Sequence, residues 1–298
     1  MSNNLITFTI PFYQNELLLK KAIKSVLTQS SPHWRLIISL DSELSNEFIS
    51  YLEGINDKRI SVVSNNNKGI CGNWNNCIDV VKSQYITILH SDDELAHNYI
   101  EVMLALFEKD PNHALYFCGA EIIDTHSQPK FSFADKVKSF IQPRSKKTIL
   151  AGSSGLESIL KGCFIFCPSI CYKTDIIKKY KFRNKWQMVL DLDLYIRLLM
   201  DGLTLLGTKE KAYKYRRHEN NQTAKLTNNF KRFDEEIALY DDISIKAMSL
   251  SWKKAQRIAN EKNIIKLHIL FLSLNAFIKF DFSRGKSTML YLLKLIRK

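Results

Sequence analysis

The chain has 298 residues, 45% hydrophobic and 24% charged, a composition that excludes a disordered polymer and suffices for one large α/β core plus a small appendage. Its 43 Lys and Arg against 30 Asp and Glu leave a formal charge of +13, which points to an anionic partner: nucleic acid, an acidic membrane leaflet or a phosphate-bearing substrate. The basic residues concentrate among large apolar ones in the C-terminal third without a recognisable nucleic-acid motif, so nucleic acid is not expected.

Met1 to Ile10 has no basic leader and no long apolar run; it reads as a first strand rather than a secretory signal, and the chain is expected in the cytoplasm. Leu5 to Ile10, Trp34 to Leu40, Ile60 to Val63 and Tyr85 to Leu89 are short, apolar runs rich in β-branched residues. Helical spacing lies between them, as in Leu17, Ile23, Val26 and Leu27, so strands and helices alternate. That alternation predicts a mostly parallel, Rossmann-like sheet flanked by helices, with ligands beyond the carboxyl ends of the strands. Pro11, Phe12 and Tyr13, then Asp41, then His90, Ser91, Asp92 and Asp93 follow three of those ends and are expected to converge.

Six cysteines show no paired framework, which fits reduced thiols. Cys163, Cys167 and Cys171 recur at every fourth residue, a spacing that would line one helix face as metal ligands, but the Phe, Ile and Pro between them favour packed core. Ser132 to Gly155 is basic and weakly patterned and reads as a loop over the site. From about Asn228 helix-forming segments dominate, which divides the chain into a catalytic domain over residues 1–227 and a basic, apolar helical extension over 228–298. Ile264 to Phe280 is apolar but interrupted by Lys266, His268, Asn275 and Lys279; it is short for a membrane span and suits an interfacial or partner-packing helix.

Asp92 and Asp93 end the apolar strand Tyr85 to Leu89, where adjacent carboxylates are costly to bury without a cation. Mg²⁺ or Mn²⁺ takes carboxylate and phosphate oxygens together, so a diphosphate would complete such a shell. The bland alternative is an N-cap for a helix over Leu95 to Phe107.

Read together, these pieces resemble family-two glycosyltransferases over roughly the first two thirds of the chain. Ile10-Pro11-Phe12-Tyr13 is similar to the family's opening strand end, Ala22 to Gln29 to its first helix, and Leu36 to Asp41 to a second strand whose terminal acid contacts the nucleotide. Asn67-Lys68-Gly69 followed by Asn73-Trp74-Asn75 resembles an Asn-x-Gly and asparagine motif near the nucleotide; alone, Asn65 to Gly69 is a polar turn. Leu89 to Asp93 is similar to the family's Asp-x-Asp-Asp pattern, with His90 in place of the first aspartate. A neutral His brings no negative charge, which alters metal affinity or ribose contact. Asp92 matches the metal-binding position, and Asp93 positions it or supports phosphate contacts.

Trp186 to Leu199 resembles the family's acceptor-side motif, with Asp191 at the position of the catalytic base. Leu194, Leu198 and the run Ile196 to Leu199 independently give a helix with Asp191 in its first turn, where Asp193 competes for the role and capping is the structural alternative. Tyr215-Arg216-Arg217-His218 and Asn221-Gln222-Thr223 resemble the family's C-terminal segment, in which His218 would complete the metal or diphosphate shell. Arg216 and Arg217 suit phosphate or an anionic membrane.

The resemblance implies a GT-A fold and an inverting, metal-dependent transfer of sugar from a nucleotide-diphosphate sugar to a glycan or lipid-linked acceptor, in bacterial surface polysaccharide synthesis. A nucleotidyltransferase also pairs acids at a strand end, but lacks a use for the Asp191 helix. A non-catalytic sugar-nucleotide binder, and a basic membrane or partner scaffold, are the competing classes, the second predicting binding that survives chelation.

Overall fold

The computed structural model describes residues 6–131, 145–217 and 222–297. Strands β1 (Ile6–Phe12), β2 (Trp34–Leu40), β3 (Ile60–Ser64), β4 (Tyr85–Ile88), β5 (Glu94–Leu95), β6 (Leu115–Ile123), β7 (Lys147–Leu150), β8 (Ile170–Lys173) and β9 (Leu205–Arg216) form one sheet. Its order is β3-β2-β1-β4-β8-β6-β9-β5, with β7 also on β9. The first half, β3-β2-β1-β4, is parallel, as alternating strands and helices require, because each crossover returns the chain to the same edge. The second half is mixed: β8 runs antiparallel to β4 and β6, whereas β9 is parallel to β6.

Alternation along each strand sorts the core into two layers. Phe8, Ile10, Leu36, Ile38, Tyr85 and Tyr116 pack on one face with helices Glu16–Leu27 and Tyr99–Lys109. Ile86, Ile88, Leu115, Phe117 and Leu205 pack on the other with helices Ile70–Val80, Gly152–Leu160 and Leu190–Met200. The first helix buries Leu19, Ala22, Ile23 and Val26, whereas Leu17, expected with them, lies about two and a half turns before Val26, on the opposite side, and is 79% exposed. Asn15 caps the helix, its side chain accepting from Leu18 N.

Helices Lys231–Ser249, Lys253–Glu261, Asn263–Ile278 and Phe282–Arg297 follow. Phe233, Leu239, Tyr240, Ile243, Ala247, Ala255 and Ala259 from the first two join the second apolar layer. Tyr240 Oη donates to Leu160 O at 2.9 Å and Lys254 pairs with Glu157 at 2.8 Å. The last two pack as a hairpin in which Ser273 Oγ donates to Gly285 O at 2.8 Å. Leu267, Phe271, Leu274, Ile278, Phe280 and Phe282 of that hairpin stay exposed. Among the described residues no helix is long and apolar enough to cross a membrane.

Two strands come unusually close. A Cβ on Gly207 of β9 would lie 2.1 Å from the Phe117 ring of β6. Gly207→Ala is expected to cost about 1–3 kcal/mol by overpacking, read as a lower midpoint in urea unfolding; an unchanged midpoint would contradict this packing.

Candidate active site

The parallel pairing fixes where the candidate residues meet. Phe12 pairs with Leu40 and Thr9 with Ile88, so Pro11 and Tyr13, Asp41 and the His90 to Asp93 turn stand side by side at one sheet edge. Pro11 lies within β1, and Tyr13 is 63% exposed, with its carbonyl accepting from Ser42 Oγ.

Asp41 organises the loop beside it. Its carboxylate accepts from Asn65 Nδ2 at 2.7 Å and from Gly69 N at 2.9 Å, and Lys68 Nζ donates to its carbonyl at 2.6 Å. Asn65 is buried and also bridges Asn67, donating to its carbonyl and accepting from its N–H. Gly69 sits at φ 94°, which suits glycine, and a Cβ on Gly72 would lie 1.8 Å from Asn67 O. The exposed turn of Asn67 and Gly69 is therefore clamped to the Asp41 strand end. Asn75, the next motif residue, faces elsewhere: its amide donates to Phe182 O and accepts from Phe182 N, both at 2.9 Å.

The helix-cap alternative for Asp92 and Asp93 is removed, because Glu94 and Leu95 form β5 against Lys214 and Tyr213, and the helix begins only at Tyr99. Instead, Asp93 is fully buried: Oδ1 accepts from Arg216 N at 2.7 Å and Oδ2 from Tyr213 Oη at 3.0 Å. Burial, then the charge of Asp92, pushes the Asp93 pKa well above the usual carboxylate range. Arg216 is 1% exposed. Its guanidinium donates to Asp92 O at 2.7 Å, to Glu94, to Asp124 O and to Ser127 Oγ. It is thus an internal brace for the acidic turn, which corrects its reading as a phosphate or membrane contact. Its neighbours Lys214 and Arg217 disguised it as surface.

His90, Asp92 and Asp93 each offer a ligand atom within 4.8 Å of the others. Burial pushes the His90 pKa down, against the opposing pull of Asp92, so the imidazole is neutral near pH 7, the form that binds a cation. Its Nε2 is buried without a hydrogen-bond partner. An orphaned nitrogen beside two carboxylates of like charge fits a divalent cation. His218 lies outside the described residues, as does residue range 132–144 of the expected loop.

The Asp191 helix reaches the same edge. β8 pairs antiparallel with β4, Cys171 opposite Thr87, so the turn Cys167–Ser169 lies beyond the carboxyl end of β4. Cys167 is beside Asp191, and burial followed by that charge raises its thiol pKa well above the usual value. The three cysteines do not share a helix face: Cys163 precedes the turn, Cys167 opens it and Cys171 is in β8. Asp191 is half-buried in the first helical turn and accepts from Tyr195 Oη at 3.4 Å. Asp193 is buried and accepts from Arg197 Nε at 2.8 Å, a structural pairing.

Sequence reasoning gave Trp74 no role. Its ring lies 5.3 Å from His90 and 4.9 Å from Phe182, joining the acidic turn to the segment that enters the Asp191 helix.

Fold and site together define a nucleotide-sugar-transferase architecture of the GT-A kind, and the comparisons agree. Residues 7–163, just over half of the chain, match the model of glycosyl transferase family 2, and the chain belongs to that family. WcaA of Escherichia coli K12, a glycosyl transferase assigned to colanic acid biosynthesis, is 36% identical over 137 residues, 43% of this chain and 48% of WcaA. WfgD of Escherichia coli, a UDP-Glc:α-D-GlcNAc-diphosphoundecaprenol β-1,3-glucosyltransferase, is 26% identical over 183 residues, 61% of this chain and 65% of WfgD. The chain thus spans about half to two thirds of these curated relatives. The crystal structure of S. aureus TarS 1–349 with UDP-GlcNAc superposes with a TM-score of 0.62 at 11% identity, over 95% of this chain and 90% of that 1–349 chain, a likeness of fold.

Arg216→Met is expected to leave Glu94 and Asp93 without their cation and to cost about 3–5 kcal/mol. Differential scanning calorimetry checks it: a large fall in Tm fits an internal brace, an unchanged Tm a surface arginine.

Proposed function

We propose that this chain is an inverting, metal-dependent glycosyltransferase that moves a sugar from a UDP-sugar to a hydroxyl of a glycan or lipid-linked acceptor in bacterial surface polysaccharide synthesis. The observation that carries the reading is the meeting, at one sheet edge, of the Asp41–Gly69 clamp, the His90–Asp92–Asp93 cluster and the Asp191 helix. The name of WfgD supports the donor and acceptor classes.

Tyr13, Asp41, Asn67 and Gly69 would seat the nucleotide, with the exposed Tyr13 ring as a platform for the base. Asp92 and His90 would hold Mg²⁺ or Mn²⁺, with Asp93 bracing the turn. Bound there, the ion would stabilise negative charge on the departing diphosphate. Asp191 would accept the proton of the acceptor hydroxyl as that oxygen bonds to the anomeric carbon and the carbon–phosphate oxygen bond breaks. One displacement from the opposite face inverts the centre. Tyr195, donating to Asp191, orients the carboxylate for this.

The exposed apolar stripe Leu267, Phe271, Leu274, Ile278, Phe280 and Phe282, flanked by Lys266, Lys279, Arg284 and Lys286, supports peripheral attachment to an anionic membrane carrying the acceptor. Flotation with phosphatidylglycerol vesicles tests this with Phe280→Ser/Phe282→Ser, since deleting residues 228–298 would strip Phe233 and Tyr240 from the core. Wild type should float and the variant should not; equal flotation would sink the attachment.

The reaction is tested with a panel of nucleotide sugars and Mn²⁺ or Mg²⁺, scored for nucleotide release. One donor should be hydrolysed, release should stop with chelator, and Asp92→Ala or Asp191→Asn should lower it by at least about 10²-fold. Binding without release would favour a non-catalytic binder, and neither binding nor release with any donor a membrane or partner scaffold.

A further inference from the structure

We infer that Glu235, in the C-terminal helix Lys231–Ser249, is a positioning residue for the reaction: it holds the start of the Asp191 helix in place from outside the sheet domain. This rests on the base role proposed for Asp191.

The helix Leu190–Met200 begins without a local cap; Val189 at its N-cap position makes no side-chain hydrogen bond. Such starts normally rely on a neighbouring Ser, Thr, Asp or Asn, and Trp186 to Val189 supplies none. Glu235, 46 residues away in sequence, instead holds the N–H groups of the segment that enters the helix. Its carboxylate accepts from Gln187 N at 2.9 Å, from Met188 N at 2.7 Å and from Val189 N at 3.4 Å. Three successive N–H groups converge on one anion, a nest at the positive end of a helix. The side chain is 91% buried by the surrounding chain, being only 9% exposed, so water is a poor substitute for it. Lys231 Nζ, one turn earlier, donates to Gln187 Oε1 at 2.7 Å.

The far face of the helix is pinned separately. Arg197 donates to Tyr180 O and Lys181 O at 2.9 and 2.7 Å and to Asp193. That grip holds the helix body and, through Asp193, one side of its first turn; the segment that leads into the turn carrying Asp191 is held by Glu235. A base displaced by about an ångström loses on the order of 10²-fold in rate while donor binding is untouched, because the proposed donor contacts lie on the turns that follow β1 to β4.

The test uses full-length Glu235→Gln, nearly isosteric but neutral and able to accept at only one oxygen. Hydrogen exchange read by mass spectrometry should show at least tenfold faster exchange over residues 184–193, with the peptides of β1 and β4 unchanged and Tm kept within a few degrees. For the sugar nucleotide that wild type hydrolyses, kcat should fall by 10–100-fold while the donor Kd stays within twofold. Combining it with Asp191→Asn should slow release no further than Asp191→Asn alone.

Unchanged exchange at 184–193, or a kcat within twofold of wild type while Asp191→Asn is inactive, overturns the inference and leaves the proposed reaction standing. A parallel loss of Tm and donor affinity also overturns it, as general destabilisation. If no donor is hydrolysed, or if Asp191→Asn keeps full activity, the proposed reaction or its base fails instead, and the exchange result alone shows whether Glu235 holds the helix start.

Discussion

The candidate site depends on a buried guanidinium. Arg216 at the end of β9 grips the carbonyl of Asp92 and the carboxylate of Glu94, while its own N–H holds Asp93. Without it, a turn that carries three acids in four residues would be driven towards solvent by mutual repulsion and by the cost of dehydrating them. With it, Asp93 is committed to the scaffold and Asp92 is held at the edge where β1, β2 and β4 end. The antiparallel pairing of β5 with β9 follows from the same contact, since it brings the strand bearing Arg216 alongside the acidic turn.

A second electrostatic device, of opposite sign, serves the other side of the cleft. There a buried carboxylate, Glu235, meets main-chain N–H groups rather than a cation. Both devices join segments far apart in sequence, and both hold main chain at or just before a residue that would do chemistry. The helices after residue 230 are therefore involved in the architecture of the site itself, beyond whatever surface the exposed Phe280 and Phe282 face.

The parts that could be read in the sequence are those set by local periodicity. Strands β1 and β4 are short runs buried on both faces, β2 and the partly exposed edge strand β3 keep the same β-branched pattern, and their order places Asp41 and His90 to Asp93 at ligand-bearing ends from the sequence alone. The Asp191 helix was equally visible, because Leu194 and Leu198 share its buried face. Strand β9 was not: Lys209, Glu210 and Lys211 face solvent within it, so its composition is that of a basic loop. Arg216 was misread for the same reason, since local composition cannot tell a brace from a surface charge when the partners lie 89 to 124 residues earlier. Glu235 gave no signal, as an acid between Asp234 and Glu236 on an amphipathic helix is ordinarily solvated.

The histidine at position 90 makes sense in this setting. Its ring lies against Trp74 and its Nε2 is enclosed, so a carboxylate there would add an enclosed negative charge beside Asp92 and Asp93 and an apolar indole, tolerable only once a cation had arrived. A neutral imidazole removes that cost and still offers a lone pair. It also keeps the ring contact, and Trp74 in turn packs on Phe182, whose main chain Asn75 holds from both sides. A substitution that weakens charge at the acidic turn thus preserves the packing seam between that turn and the segment leading to Asp191. The geometry of the cleft is maintained by apolar contact at the position where the family pattern places an acid.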